Sequence, residues 1–183
     1  MALVSGGTHL LNANTILQKL GLSVGMKLAD LGCGSAGHFV LPAARIVGQS
    51  GKVYAIDILQ TVLQSVESKS RLENLTNVQY IWADLEVLGS TNIPDNSVDI
   101  TILKNVLFQS QKHETIIAEG TRMLKPGGRL LVVDWKSPGS PLGPPLNIRV
   151  KPEDVRAIAA GLGLREMAEM DAGQFHFGLI FEK

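Results

Sequence analysis

Apolar residues along this chain come in two rhythms. Runs at 27–31 (KLADL), 53–57 (VYAID), 78–82 (VQYIW), 98–103 (VDITIL) and 129–135 (RLLVVDW) are short and rich in Val, Ile and Leu, as strands covered on both faces are. Between them apolar positions recur three and four apart. Leu59, Val62, Leu63 and Val66, within 59–73, predict a helix with one buried face. Strand and helix rhythms in alternation predict a parallel sheet covered by helices.

The punctuation supports that reading. A first helix is expected over 14–20, capped by Asn14 or Thr15 and ended by Gly21. A glycine loop follows the first strand and opens a helix to about Val47, with Pro42 in its first turn, where a missing N–H is tolerated. A helix over 111–123 is expected to stop at KPGG (125–128), and one starting near Pro152 at Gly161 or Gly163. The last 20 residues read as two strands joined by DAGQ, with Phe175, Phe177, Leu179 and Phe181 alternating; a hairpin makes those strands antiparallel. The expected architecture is α/β: a single-domain, Rossmann-like, doubly wound sheet over 1–183, mostly parallel with a C-terminal antiparallel hairpin. An N-terminal helical segment occupies 1–26. Residues 136–150 hold four of the eight prolines and form a loop long enough to act as a substrate lid.

Composition narrows the function. Seventeen basic and seventeen acidic side chains cancel, and the basic ones are scattered, which argues against nucleic acid as a partner. A single cysteine, Cys33, excludes an internal disulfide and a thiolate metal cluster. The first residues, MALVSGGTHLLNA, lack a basic n-region, and no apolar run nears the roughly 20 residues of a membrane span. The expected location is the cytoplasm.

The candidate chemistry lies at strand ends. In open α/β sheets ligands bind outside the carboxyl ends of the strands, which places Asp30–Gly37, Asp57, Asp84, Lys104–Gln109 and Trp135 on one rim. The last strand, running the other way, starts there with Gln174–His176. Gly32, Gly34 and Gly37 in LADLGCGSAG match the dinucleotide pattern G-x-G-x-x-G. Asp30, two residues earlier, disfavours a diphosphate and favours a cation, with no obvious basic neighbour to neutralise it; two unit charges ~4 Å apart interact by about 4 kcal/mol at an effective dielectric near 20. Asp57 is placed to accept the hydroxyls of an unphosphorylated ribose, and Asp84 a hydrogen bond from an adenine amine. A cationic tail, a ribose and a base are the parts of S-adenosylmethionine.

In order, LADLGCGSAG, VYAIDI, WADLE, SVDITILKNVLFQ and MLKPGGRLLVVDW resemble the motifs of small class I S-adenosylmethionine-dependent methyltransferases of the UbiE/Coq5-like group, over about 10–182. The resemblance implies a seven-stranded fold and S-adenosyl-L-methionine as cofactor, leaving S-adenosyl-L-homocysteine as product. It implies that Asp30 and the Gly32–Cys33–Gly34 backbone hold the methionine part. Asp57 would bind ribose, Ile58 would pack on adenine, Asp84 and the Leu85 backbone would recognise the base, and the Asn105 backbone would face the methionine end. Ala36 stands where the family's tighter glycine register has a third glycine.

The acceptor is expected to be a small molecule, with Phe108, Trp135 and Gln174 lining its pocket and His38 or His176 as catalytic or orienting group. Asp134 has no acidic partner at the end of strand four, so no metal is assigned. The competing readings are a nicotinamide-dependent oxidoreductase, favoured by the glycine pattern, and a non-catalytic S-adenosylmethionine-binding regulatory domain.

Overall fold

The computed structural model describes residues 12–136 and 143–183. Seven strands form one sheet: β1 (Lys27–Leu31), β2 (Lys52–Asp57), β3 (Val78–Trp82), β4 (Val98–Lys104), β5 (Leu124–Trp135), β6 (Arg165–Asp171) and β7 (His176–Glu182), in the order β3-β2-β1-β4-β5-β7-β6. β3, β2, β1, β4 and β5 pair in parallel, whereas β7 lies antiparallel between β5 and β6. The doubly wound mixed sheet with its terminal hairpin is therefore the observed architecture.

Side-chain alternation divides the core into two layers. Leu28, Val53, Ala55, Ile100, Ile102, Leu131, Val133 and Ile180 face α1 (Ala13–Lys19), α2 (Val40–Val47) and α3 (Gln60–Leu72). Leu31, Ile56, Leu103, Leu130, Val132, Leu179 and Phe181 face α4 (His113–Met123) and α5 (Pro152–Gly161). β7 is buried along nearly its whole length because it has a neighbour on each side, so its alternation marks two packed faces rather than one.

Several element boundaries differ from expectation for physical reasons. The cap of α1 is Asn12, whose side chain accepts the Thr15 N–H at 3.1 Å, not Asn14 or Thr15. Leu59 lies outside the buried face of α3: it is the N-cap, exposed, with its N–H given to the Asp57 carboxylate. KPGG lies inside β5 rather than ending the helix in a separate turn. The Gly127 N–H donates to the Lys183 carbonyl at 2.7 Å, and the Lys183 N–H to the Gly128 carbonyl at 3.0 Å, so the end of the chain holds that segment extended. Phe175 precedes β7 and is half-buried.

Of the expected lid, residues 137–142 lie outside the described residues, as do 1–11 of the N-terminal segment. The described remainder carries a short 3-10 turn at Leu146–Ile148. It packs on Trp135: a Cβ on Gly143 would sit 2.5 Å from Trp135 Cε3, and the Arg149 guanidinium lies 5.9 Å from the ring centre.

Candidate functional site

The carboxyl ends of β1, β2 and β3 build the first half of the site. At the end of β1 the chain turns sharply: Gly32 has φ +76°, and a side chain there would meet Val106 Cγ2 at 2.5 Å. The loop then spends its own donors. The Gly32 and Cys33 N–H groups both donate to the Ile56 carbonyl at 2.8 and 3.0 Å. The Gly34 N–H donates to the Asp57 carboxylate at 3.2 Å, and the Gly37 N–H to the Gly34 carbonyl at 3.1 Å. A diphosphate would need such N–H groups; here β2 already takes those of Gly32, Cys33 and Gly34, one through a negative charge, and the loop itself takes that of Gly37.

Asp30 shares the sheet face of Leu28 and is only 2% exposed. Among the described residues nothing donates a hydrogen bond to its carboxylate. Burial pushes its pKa up to about 7, while the charge of Lys104 pulls it down and that of Asp57 pushes it further up. The expectation of no basic neighbour is thus corrected. Lys104 ends β4 two residues beyond Ile102, which pairs with Asp30, so period-two alternation puts both on one face. Its place beside Ile100 and Ile102 in the strand pattern was the signal that sequence reasoning missed.

Asp57 holds the glycine loop through Oδ2 and, through Oδ1, accepts the Leu59 N–H at 3.0 Å. Asp84 is exposed, and its Oδ1 accepts the Glu86 N–H at 2.9 Å. Between these acids lies an apolar ledge of Ile58, Leu59 and Trp82, each more than half exposed. The Trp82 indole, which the sequence reading places in strand three without a role in the site, donates to the Ile58 carbonyl at 2.8 Å and fixes the ledge. Leu85 is buried. Cys33 is buried, and burial together with Asp30 and Asp57 pushes its thiol far above the usual range, so it contributes backbone rather than thiolate chemistry. Asn105 adopts a left-handed φ of +57°; its N–H donates to the Val133 carbonyl, and its own carbonyl accepts the Gln109 amide at 2.7 Å.

The ends of β4, β5 and β7 form the second half. Trp135 and His176 pair across β5 and β7, and their rings lie 4.2 Å apart, tilted by 39°. His176 is 1% exposed. Burial, then the charges of Lys104, Lys136 and Arg149, lower its pKa to about 4. Phe108 is half-buried in the 3-10 turn after β4, and Gln174 is exposed in the β6–β7 turn.

His38 packs edge-on against Phe39 beside the glycine loop. The strand ends serving the two histidines are three strand positions apart, about 14 Å, so they mark two places rather than one catalytic pair. Asp134 points to the other face and is fully buried. Its oxygens accept the Leu107 N–H at 3.1 Å and the Trp135 N–H at 2.8 Å. Among the described residues no His/Cys/Asp/Glu group is arranged to hold a metal, and no helix is long and apolar enough to cross a membrane.

Residues 22–159 match the family model described as methyltransferase domain. The chain is 32% identical over 176 residues to the ubiquinone/menaquinone biosynthesis C-methyltransferase UbiE of Cronobacter sakazakii, covering 96% of this chain and 66% of that protein. It is 34% identical over 136 residues to the UbiE of Shewanella pealeana, covering 74% and 53%. The chain thus spans about half to two thirds of the length of these relatives. The crystal structure of a SAM-dependent methyltransferase from Aquifex aeolicus superposes with a TM-score of 0.85 at 25% identity, over 97% of this chain and 92% of that one. With a doubly wound sheet, an acid at the end of each of its first three strands and a family match across most of its length, the chain belongs to the methyltransferase-domain family.

Proposed function

We propose that this chain binds S-adenosylmethionine at the ends of β1, β2 and β3 and transfers its methyl group to a small-molecule acceptor. The observation that carries the reading is how the glycine loop uses its donors: Gly32, Cys33 and Gly34 give their N–H groups to β2, while the Asp30 carboxylate beside them is buried and accepts no hydrogen bond from the described residues. A buried acid with no donor is stabilised by a cation, and the methionine end of this cofactor carries an ammonium and a sulfonium.

The remaining residues suit the rest of the molecule. The Asp57 carboxylate accepts ribose hydroxyls. The Ile58–Leu59–Trp82 ledge offers a flat apolar surface to adenine, and Asp84 with the Leu85 backbone recognises its edge. Asn105 borders the methionine end. Bound there, the cofactor supplies a methyl group already activated on sulfur, so the protein's task is placement of an acceptor lone pair in line with it. A base is required only for an acceptor that loses a proton. His176, whose pKa burial and nearby cations lower to about 4, is a weak base at pH 7 and is suited to orienting the acceptor; His38 stands nearer the cofactor loop. Trp135, Phe108 and Gln174 border the acceptor side. The UbiE relatives are named as C-methyltransferases of ubiquinone and menaquinone biosynthesis, which fits a small-molecule acceptor here.

Calorimetric titration with S-adenosylmethionine and, separately, with NADH tests the reading. Saturable binding of the first and none of the second is expected. Binding of NADH alone would replace the proposal with the oxidoreductase reading. Cofactor binding without methyl transfer to any acceptor of a small-molecule panel would favour a regulatory domain.

A further inference from the structure

The two edges of the sheet are built differently. β6 closes one edge with Arg165, Glu166 and Glu169 exposed along it, and its register slips between Glu166 and Ala168. Arg156 of α5 reaches across to both glutamates. Charge and local irregularity keep an edge strand from pairing with another chain. β3, at the other edge, has neither. Its sequence is VQYIW, without charge, proline or glycine, and its pairing with β2 runs without a register shift.

The free backbone groups of β3 follow from its ladder with β2. The Asn77 carbonyl accepts the Val53 N–H at 3.0 Å, and the Ala83 N–H donates to the Asp57 carbonyl at 3.2 Å. Alternation therefore turns the groups of Gln79 and Ile81 toward β2 as well. Those of Val78, Tyr80 and Trp82 point away from the sheet, and among the described residues no strand lies beyond them. Their spacing is that of the hydrogen-bonded pairs in an antiparallel ladder. A two-fold axis at Tyr80 sets Tyr80 opposite its own copy and Val78 opposite Trp82 on either side, with an N–H and a C=O exchanged both ways in each pair.

Apolar and charged groups select the same arrangement. Leu72, at the end of α3 that leads to β3, is more than half exposed, as are Ile58, Leu59 and Trp82 at the far end of the strand. Lys52, its ammonium 3.3 Å from Gln79 Oε1, marks the start of the edge, and the exposed Asp84 follows its end. Antiparallel pairing brings unlike ends together: Leu72 of one copy approaches Trp82 of the other, and Lys52 approaches Asp84. A parallel pairing sets like charge against like.

We propose that the β3 edge is the interface of a two-fold homodimer, in which two copies pair antiparallel about Tyr80 and join their sheets into one. The occupant is a second copy because the edge complements itself in hydrogen bonding, register and charge, as an isologous interface must. The pairing also places Val78 of one copy against Trp82 of the other, the residue that fixes the apolar ledge, so both cofactor sites adjoin the interface.

Sedimentation equilibrium of the wild-type chain from about 1 to 200 µM reads the assembly, and amide hydrogen exchange reads the pairing. A monomer–dimer equilibrium within that range is expected. The Val78, Tyr80 and Trp82 amides should exchange about tenfold more slowly at the high concentration, whereas Gln79 and Ile81, bonded to β2, should not change. Gln79→Lys puts a charge on the edge from an exposed position and should raise the dimer dissociation constant about tenfold or more. Ala168→Lys, on the β6 edge, should leave it unchanged. A wild-type chain that stays monomeric throughout overturns the proposal. So does a dimer whose Val78, Tyr80 and Trp82 amides exchange as in the monomer, or one that Ala168→Lys weakens as much as Gln79→Lys does. The exchange measurement needs only the wild type and stands even if Gln79→Lys fails to fold.

Discussion

Asp57→Ala is the perturbation whose outcome follows most directly from the geometry. Its carboxylate bridges two backbone donors, Gly34 N–H at 3.2 Å and Leu59 N–H at 3.0 Å, and so ties the glycine loop to the start of α3. Hydrogen bonds to a charged group contribute about 1.5–3 kcal/mol each. Both here are part-buried, and water can replace some of what is lost, which favours the low end. The ligand-free protein should therefore lose about 2–4 kcal/mol. For a chain of this size that corresponds to a fall of roughly 4–16 °C in Tm. Asp57→Asn keeps one carbonyl acceptor but turns an N–H2 toward the other donor, so it should lose about half as much. Urea unfolding followed by circular dichroism reads the stability, and calorimetry with S-adenosylmethionine reads the site. Cofactor affinity should fall at least tenfold in Asp57→Ala, where the ribose hydroxyls lose their acceptor, and by less in Asp57→Asn, which keeps one. An unchanged unfolding midpoint in Asp57→Ala would refute the bridging role, and unchanged affinity would refute the ribose assignment.

Gly32→Ala forces a side chain into a left-handed backbone and against Val106, costing about 2–5 kcal/mol; adding Val106→Ala should recover the steric part only, as urea titrations of the single and double variants would show. Glu119 is fully buried and accepts from Arg122, Thr91 and the Gly89 N–H, locking the β3–β4 connection to α4. Glu119→Ala leaves Arg122 without that partner and should cost about 3–5 kcal/mol in thermal or chemical unfolding. Because the folded pKa of Asp30 lies near 7, above its unfolded value, ionising it opposes folding. Relative to Asp30→Asn, the ligand-free wild type should lose stability as pH rises from about 4 to 7 and stay level above that; parallel stability–pH curves for the two proteins would contradict the burial argument.

What local sequence could reveal follows a physical divide. β1 reads as Lys27–Leu31 from its apolar run because a central parallel strand is buried on both faces. The acids of the rim were legible for a related reason: strand ends can be located, and carboxyl ends are where an open sheet binds ligands. The Asn12 cap was not, since Asn12, Asn14 and Thr15 are all able to cap and only chain direction decides among them. Nor could KPGG be placed in β5, as its backbone is held by Lys183 from the far end of the chain. The glycine pattern alone left phosphate and cation both open. The Ile56 carbonyl and the Asp57 carboxylate distinguish them by taking the loop's N–H groups, and both come from β2 through tertiary packing.

The central claim is that Asp30 makes this crevice a cation site. Its most direct test is S-adenosylmethionine affinity, by calorimetry, across about pH 6 to 8 in wild type and Asp30→Asn. The sulfonium keeps its charge throughout, so the wild type should bind more tightly as Asp30 ionises near pH 7, with protons released on binding below that point. Asp30→Asn should bind more weakly and lose that rise. Wild-type affinity that ignores pH, or an Asp30→Asn protein that binds as tightly as wild type above pH 7, would contradict the account.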